Sequence, residues 1–257
     1  MTGCNRVVRR TLLIAACAAA LNGCGPKFKP EQFGSPVELF DASKAEYQRG
    51  NCTGAERGFT RVVFELPPRD PRLAEARYLI GECQFEDKRY LEASRELRRA
   101  ADDFPSHEVA PTALMRSGDA LAKLWKRAEL DPTYGEQALS VYSEVLNRYP
   151  NSAAAPVTRQ RVTELADRFA LKDLKTGDYY LRLKAFDSAM IYYKAVVTSW
   201  PQSQHAPTAL MKLVGVYRRI GYLEEANETC DHLRRFFAEA EGLDGVCPAP
   251  PDTAATS

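Results

Sequence analysis

Histidine is scarce in this chain, with three in 257 residues. His107 and His205 sit at turns, and His107-Glu108 lacks the second histidine that a zinc-protease helix needs. No CxxC pair, phosphate-cradling glycine loop or nucleophile elbow occurs. Scattered Asp and Glu residues fall on solvated helix faces, so the sequence points to binding rather than catalysis. No metal or diffusible cofactor is expected. The formal net charge of +1 supplies no bulk attraction for nucleic acid. After residue 24 no apolar run is long enough to cross a bilayer.

The first residues read as a leader. Arg6, Arg9 and Arg10 form a basic stretch, Thr11 to Leu21 is apolar and short, and Leu21-Asn22-Gly23-Cys24 reads as a lipobox. A rival box, Ile14-Ala15-Ala16-Cys17, would leave an apolar core of only about six residues against the usual 7 to 15. Cleavage before Cys24 and acylation of its thiol are therefore expected. Gly25 in place of an aspartate favours the outer membrane as destination, with the protein anchored on its periplasmic face. Residues 1–23 are then the signal peptide and 24–34 a lipidated tether. Loss of three arginines leaves 32 basic against 34 acidic residues, a formal charge of −2.

Beyond the tether the chain repeats itself. Ser43, Ala55, Phe59 and Pro67 form one set, and Gly81, Ala93, Leu97 and Pro105 the next. Gly118, Ala138, Tyr142 and Pro150 follow, then Gly177, Ala189, Tyr193 and Pro201, and finally Val214, Ala226 and Cys230. In four sets the small residue precedes the alanine by 12 positions, a spacing for two antiparallel helices in close approach, with the alanine expected at the crowded contact. The alanines are separated by 38, 45, 51 and 37 residues. This pattern resembles the tetratricopeptide repeat, whose unit is about 34 residues, with insertions in the third and fourth units. The expected fold is all-α, a helical-hairpin solenoid of five repeats and about ten helices over 35–240, followed by a disordered tail at 241–257.

Punctuation supports that division. Ser35-Pro36-Val37-Glu38 reads as a capping box, and Asp70-Pro71 and Asp131-Pro132 place Asp-Pro at further starts. Helices are expected near 36–49 and 53–65, 71–86 and 89–103, 109–128 and 133–148, 154–183 and 186–199, and 206–219 and 223–239. Ala110-Pro111-Thr112-Ala113-Leu114-Met115 recurs as Ala206-Pro207-Thr208-Ala209-Leu210-Met211, opening a helix each time. The helix after Pro156 is unusually long, and Val162, Leu165, Ala166 and Phe169 lay an apolar stripe along its early turns. Cys52 and Cys83 belong to neighbouring hairpins. Two readings stand: a Cys52–Cys83 disulfide in an oxidising compartment, or two free thiols serving as small apolar residues.

The lipobox and short tether, the five hairpins, the segment from Asp131-Pro132 to Tyr149-Pro150-Asn151-Ser152 and the run Gly177-Asp178-Tyr179-Tyr180 to Trp200-Pro201 together resemble the BamD family of outer-membrane assembly lipoproteins. The resemblance covers about residues 24 to 240. It implies membership of the machinery that folds β-barrel proteins into the outer membrane. Its C-terminal hairpins would dock on the periplasmic domains of the central, BamA-like barrel subunit, and its N-terminal hairpins would meet unfolded barrel substrates. The rival reading is a periplasmic tetratricopeptide adaptor lipoprotein for cell division or peptidoglycan synthesis.

Candidate contact residues follow from the register. Phe40, Lys44 and Tyr47 share one helix face, and Tyr78, Glu82 and Phe85 repeat the spacing on the next hairpin. These six are expected on the inner wall, where aromatics and a lysine suit an extended segment carrying aromatic side chains and a carboxylate. The competing reading packs the aromatics between hairpins. For partner docking the candidates are Lys184, Tyr192, Lys194, Arg218 and Arg219, while Tyr193 holds a helix-packing position.

Overall fold

The computed structural model describes residues 28–248. The leader, Cys24 and residues 249–257 lie outside them. Ten helices form five consecutive antiparallel hairpins: α1 (Pro36–Gln48) with α2 (Cys52–Glu65), α3 (Arg72–Glu86) with α4 (Tyr90–Asp103), α5 (Ala110–Leu124) with α6 (Thr133–Arg148), α7 (Ala154–Arg182) with α8 (Phe186–Ser199), and α9 (Ala206–Ile220) with α10 (Leu223–Phe236). A one-turn helix, α11 (Leu243–Val246), follows. Each helix packs chiefly on its neighbours in sequence, the one-dimensional logic of a solenoid. The first helices of successive hairpins also touch one another and so build the inner wall.

The helix starts follow local chemistry. The Ser35 hydroxyl accepts a hydrogen bond from the Val37 N–H at 3.3 Å, two residues on rather than the three of a capping box. Asn51 Oδ1 accepts from Gly54 at 3.1 Å. Asp70 and Asp131 each accept from the residue after their proline, Arg72 and Thr133, at 3.0 and 2.9 Å. Four of the five turns joining hairpin helices, all but that of the third hairpin, reuse one left-handed residue: Gly50 (φ 78°), Lys88 (φ 62°), Lys184 (φ 59°) and Gly221 (φ 84°).

The crowded contact of the second, third and fourth hairpins differs from the expected one. Ala55, Ala93, Ala138 and Ala189 are fully buried, yet the glycines face the residue four positions later. A Cβ on Gly81 would lie 2.5 Å from Leu97 Cγ, one on Gly118 2.6 Å from Tyr142 Cε1, and one on Gly177 2.5 Å from Tyr193 Cε1. The glycine makes room for the large side chain, and the alanine packs one turn away. In the first hairpin the roles are shared between Ser43 and Gly58.

The third hairpin's insertion is not helical, since α5 stops at Leu124. The 125–132 loop instead turns Trp125 inward, where it is 1% exposed. Its ring lies 4.6 Å from that of Phe169, which stacks on Trp200 at 5.1 Å. Gly135 opens the space for the indole. This aromatic column gives the long α7, 29 residues or about 44 Å, its early anchor. Leu165 and Phe169 are buried, and Val162 and Ala166 partly so.

Both ends and the cysteines correct expectations. Phe28 and Phe33 pair at 5.6 Å and pack on the first hairpin, and Arg61 donates to the Pro30 carbonyl at 2.6 Å. The expected tether is therefore seated from residue 28, because its two phenylalanines bury apolar surface. The expected disordered tail is packed as far as Cys247: Leu243 is 6% exposed, and Cys230 and Cys247 form the disulfide. Cys52 and Cys83 carry free thiols instead. They lie together in the apolar cluster of the first two hairpins, where burial, then contact with Cys52, pushes the Cys83 thiol pKa up. Among the described residues, no helix is long and apolar enough to cross a membrane.

Candidate functional site on the inner wall

The six N-terminal candidates divide. Phe40 is 5% exposed, edge-on to Phe59 at 5.7 Å. It belongs to the core, which corrects its assignment to the binding surface. An amphipathic helix buries a stripe broad enough to take the position three before its packing residue, Ser43. Tyr47 and Tyr78 are half-buried. Burial, reinforced by the nearby Glu82 carboxylate, pushes Tyr47 up to about 12, and the same two causes raise Tyr78. Lys44 reaches Glu75 on α3 at 2.6 Å, and Glu82 receives Arg116 in a fork of 2.8 and 3.0 Å. Phe85 is covered by the Arg116 guanidinium at 4.1 Å and meets Tyr90 edge-on at 5.2 Å. Lys44 is thus already paired with a carboxylate, contrary to its expected role of meeting an incoming one.

A dense cluster of charged side chains lies one hairpin further on. Phe85, Arg116, Asp119, Lys123, Tyr142, Arg161, Glu164 and Arg168 are among the residues lining a cavity of about 370 Å³ between α3, α5, α6 and α7. Asp119, only 7% exposed, accepts from the Tyr142 hydroxyl at 2.8 Å and from Arg116 at 3.1 Å. Arg161 Nε comes within 3.3 Å of it. Burial, followed by the Asp119 charge, drives the Tyr142 hydroxyl pKa far up, so this tyrosine stays a donor. The inner-wall candidates legible in the sequence end at Phe85, one hairpin short of this cluster. Asp119 follows Gly118 as Glu82 follows Gly81 and Lys44 follows Ser43, and that register carries the signal.

The C-terminal candidates do not form one cluster. Lys184 is the exposed left-handed turn residue after α7. Tyr192 is half-buried, stacked on Tyr180 at 5.4 Å. Lys194 lies over the Tyr217 ring at 5.6 Å. Arg218 donates to the Val246 carbonyl at 2.6 Å, which ties down α11 and corrects its assignment to docking alone. Arg219 is exposed, and Tyr193 is fully buried, as its register requires. Beside Tyr180, a second cavity of about 630 Å³ is lined by Glu129, Lys172, Lys175, Asp178, Tyr179 and Arg182.

The family model described as YfiO, outer membrane lipoprotein, matches residues 33–233, spanning all five hairpins. The chain belongs to the YfiO family. Relatives of this YfiO chain include the outer membrane protein assembly factor BamD of Xylella fastidiosa (strain 9a5c), 26% identical over 93% of this chain and 86% of the relative. The protein of that name from Caulobacter vibrioides is 28% identical over 84% and 72%. Among solved structures, a TPR repeats protein from Bacteroides fragilis is similar at a TM-score of 0.46 and 13% identity, over 84% of this chain and 93% of the other.

Proposed function

We propose that this YfiO-family chain is a non-enzymatic component of the machinery that assembles β-barrel proteins in the outer membrane, held to the periplasmic face by lipid on Cys24. The observation that carries the reading is the family match over residues 33–233, together with relatives named outer membrane protein assembly factor BamD. In this reading the inner wall of the first three hairpins receives extended segments of unfolded barrel proteins. Half-buried aromatics and paired charges on a rigid solenoid supply such a surface at low entropic cost. The C-terminal hairpins, with Lys184, Tyr192, Lys194 and Arg219, are the side offered to the periplasmic domains of a BamA-like barrel subunit.

Extraction of a tagged full-length copy from native envelopes in mild detergent, followed by mass spectrometry, tests the reading. The expected result is co-purification of a large outer-membrane barrel with periplasmic domains, and an acylated Cys24 in the N-terminal peptide. Recovery of division or peptidoglycan-synthesis proteins without that barrel would overturn it in favour of the adaptor reading.

A further inference from the structure

The 370 Å³ cavity has an unbalanced set of charges. Arg116 is engaged by Glu82 and Asp119, and Arg161 by Asp119 and Glu164. Two cations of the same lining remain. Among the described residues, neither Arg168 nor Lys123 has a carboxylate within 4.0 Å. Arg168 is half-buried, its guanidinium carbon over the Trp125 ring at 4.6 Å and, among the described residues, its one protein acceptor the Ala122 carbonyl at 3.4 Å. Burial lowers its pKa with no acid to offset the cost. An arginine oriented by an aromatic face and short of acceptors holds unused donors in a fixed plane.

We propose that this cavity is a carboxylate-binding subsite, in which Arg168 and Lys123 take the anion of an extended peptide while Arg116 and Arg161 form fixed walls. The inference rests on the peptide-groove reading given above and adds to it the chemical class recognised. Two features select a single negative charge. Arg116, Lys123, Arg161 and Arg168 stand against Asp119, Glu164 and, through its pair with Arg116, Glu82, so one positive charge is in excess and one carboxylate neutralises it. The planar guanidinium matches the two oxygens of a carboxylate. Ala122 and Leu165 leave apolar surface for the adjoining side chain. The volume is that of a small-ligand site, room for a peptide end or one acidic side chain with its neighbours.

The test uses the full-length protein in detergent and three labelled seven-residue peptides of β-strand character, read by fluorescence anisotropy. One ends in a free carboxylate, one is its C-terminal amide, and one is the amide with an internal glutamate. A carboxylate-bearing peptide should bind about tenfold more tightly than the plain amide, as for loss of one charge-assisted contact. The free acid or the internal glutamate showing the advantage identifies the source. Lys123→Gln, on an exposed side chain with no ion pair, should remove most of that advantage without altering the melting curve. Arg168→Gln should remove the rest, and Arg168→Lys should restore part of it. Equal affinity for all three peptides would overturn the carboxylate subsite while leaving the groove reading intact. Binding of none of them would overturn both. Displacement of the peptide by inorganic phosphate at lower concentration than by acetate would overturn the choice of a monoanion.

Discussion

Tyr142 reaches back 23 residues to donate its hydroxyl hydrogen to Asp119 at 2.8 Å, and Tyr193 reaches back 15 residues to do the same to Asp178 at 2.7 Å. Each aspartate directly follows the glycine over which the tyrosine ring packs. The eight residues by which the separations differ are absorbed in the 125–132 loop, so the insertion leaves the hairpin register intact. Tyr142→Phe should lower stability by about 1 kcal/mol, because Asp119 is buried and loses an acceptor bond. Equal thermal melting of the variant and the wild type would contradict this.

The glycine positions separate close contact from open helix. Gly177→Ala places a Cβ 2.5 Å from the Tyr193 ring and should cost about 1–3 kcal/mol. Gly215, on an exposed face of α9, has nothing within 4 Å. Its change to alanine should stabilise by about 0.5–1 kcal/mol through helix propensity. Chemical denaturation of the two variants should show shifts of opposite sign.

Lys88 and Lys184 hold left-handed conformations that Gly50 and Gly221 fill elsewhere at little steric cost. Lys88→Gly should stabilise the fold by up to about 1 kcal/mol, the relief of the left-handed strain less glycine's added unfolded-state entropy. A lower denaturation midpoint in the glycine variant would contradict the strain argument.

The Cys230–Cys247 bond closes a 17-residue separation around α11. A loop of that size contributes about 3 kcal/mol in the chain-entropy model. Because the array is one-dimensional, Cys247→Ser should free residues 237–248 and weaken the fifth hairpin before the others. Hydrogen exchange resolved by peptide should show the loss confined to the C-terminal end, and uniform loss along the chain would argue against independent hairpins.

Glu129 lies at the insertion loop and pairs with Lys175 on α7. The Lys175 hydrogen bond, then its own backbone N–H, lowers its pKa from 4.5 to about 2. A depressed carboxylate stabilises the fold fully above its unfolded value and loses that contribution as pH falls toward the folded one. The loop contact should therefore hold above about pH 4.5 and weaken progressively toward pH 2. Glu129→Gln should abolish that dependence in a side-chain NMR titration of the loop, and an unshifted Glu129 titration would exclude the pairing in solution.

Helix number, order and most boundaries were legible in the chain itself. Glycine, alanine and proline recur at fixed offsets, and caps such as Ser35, Asp70 and Asp131 act within three residues of where they stand. The ring of Tyr193 beneath its own hairpin was readable for the same reason. The tertiary structure alone decided what crosses between hairpins. It sent Phe40 inward against Phe59, gave Lys44 to Glu75, and chose Cys247 rather than a cysteine pair at the first two hairpins for the disulfide. It also gathered Arg116, Lys123, Arg161 and Arg168 around one cavity from two helices. Local periodicity determines which face of a helix is apolar, whereas the partner of a charge depends on how far each hairpin is rotated against the next. That rotation is set by packing of side chains such as Trp125, Phe169 and Trp200, whose meeting no spacing in the sequence encodes.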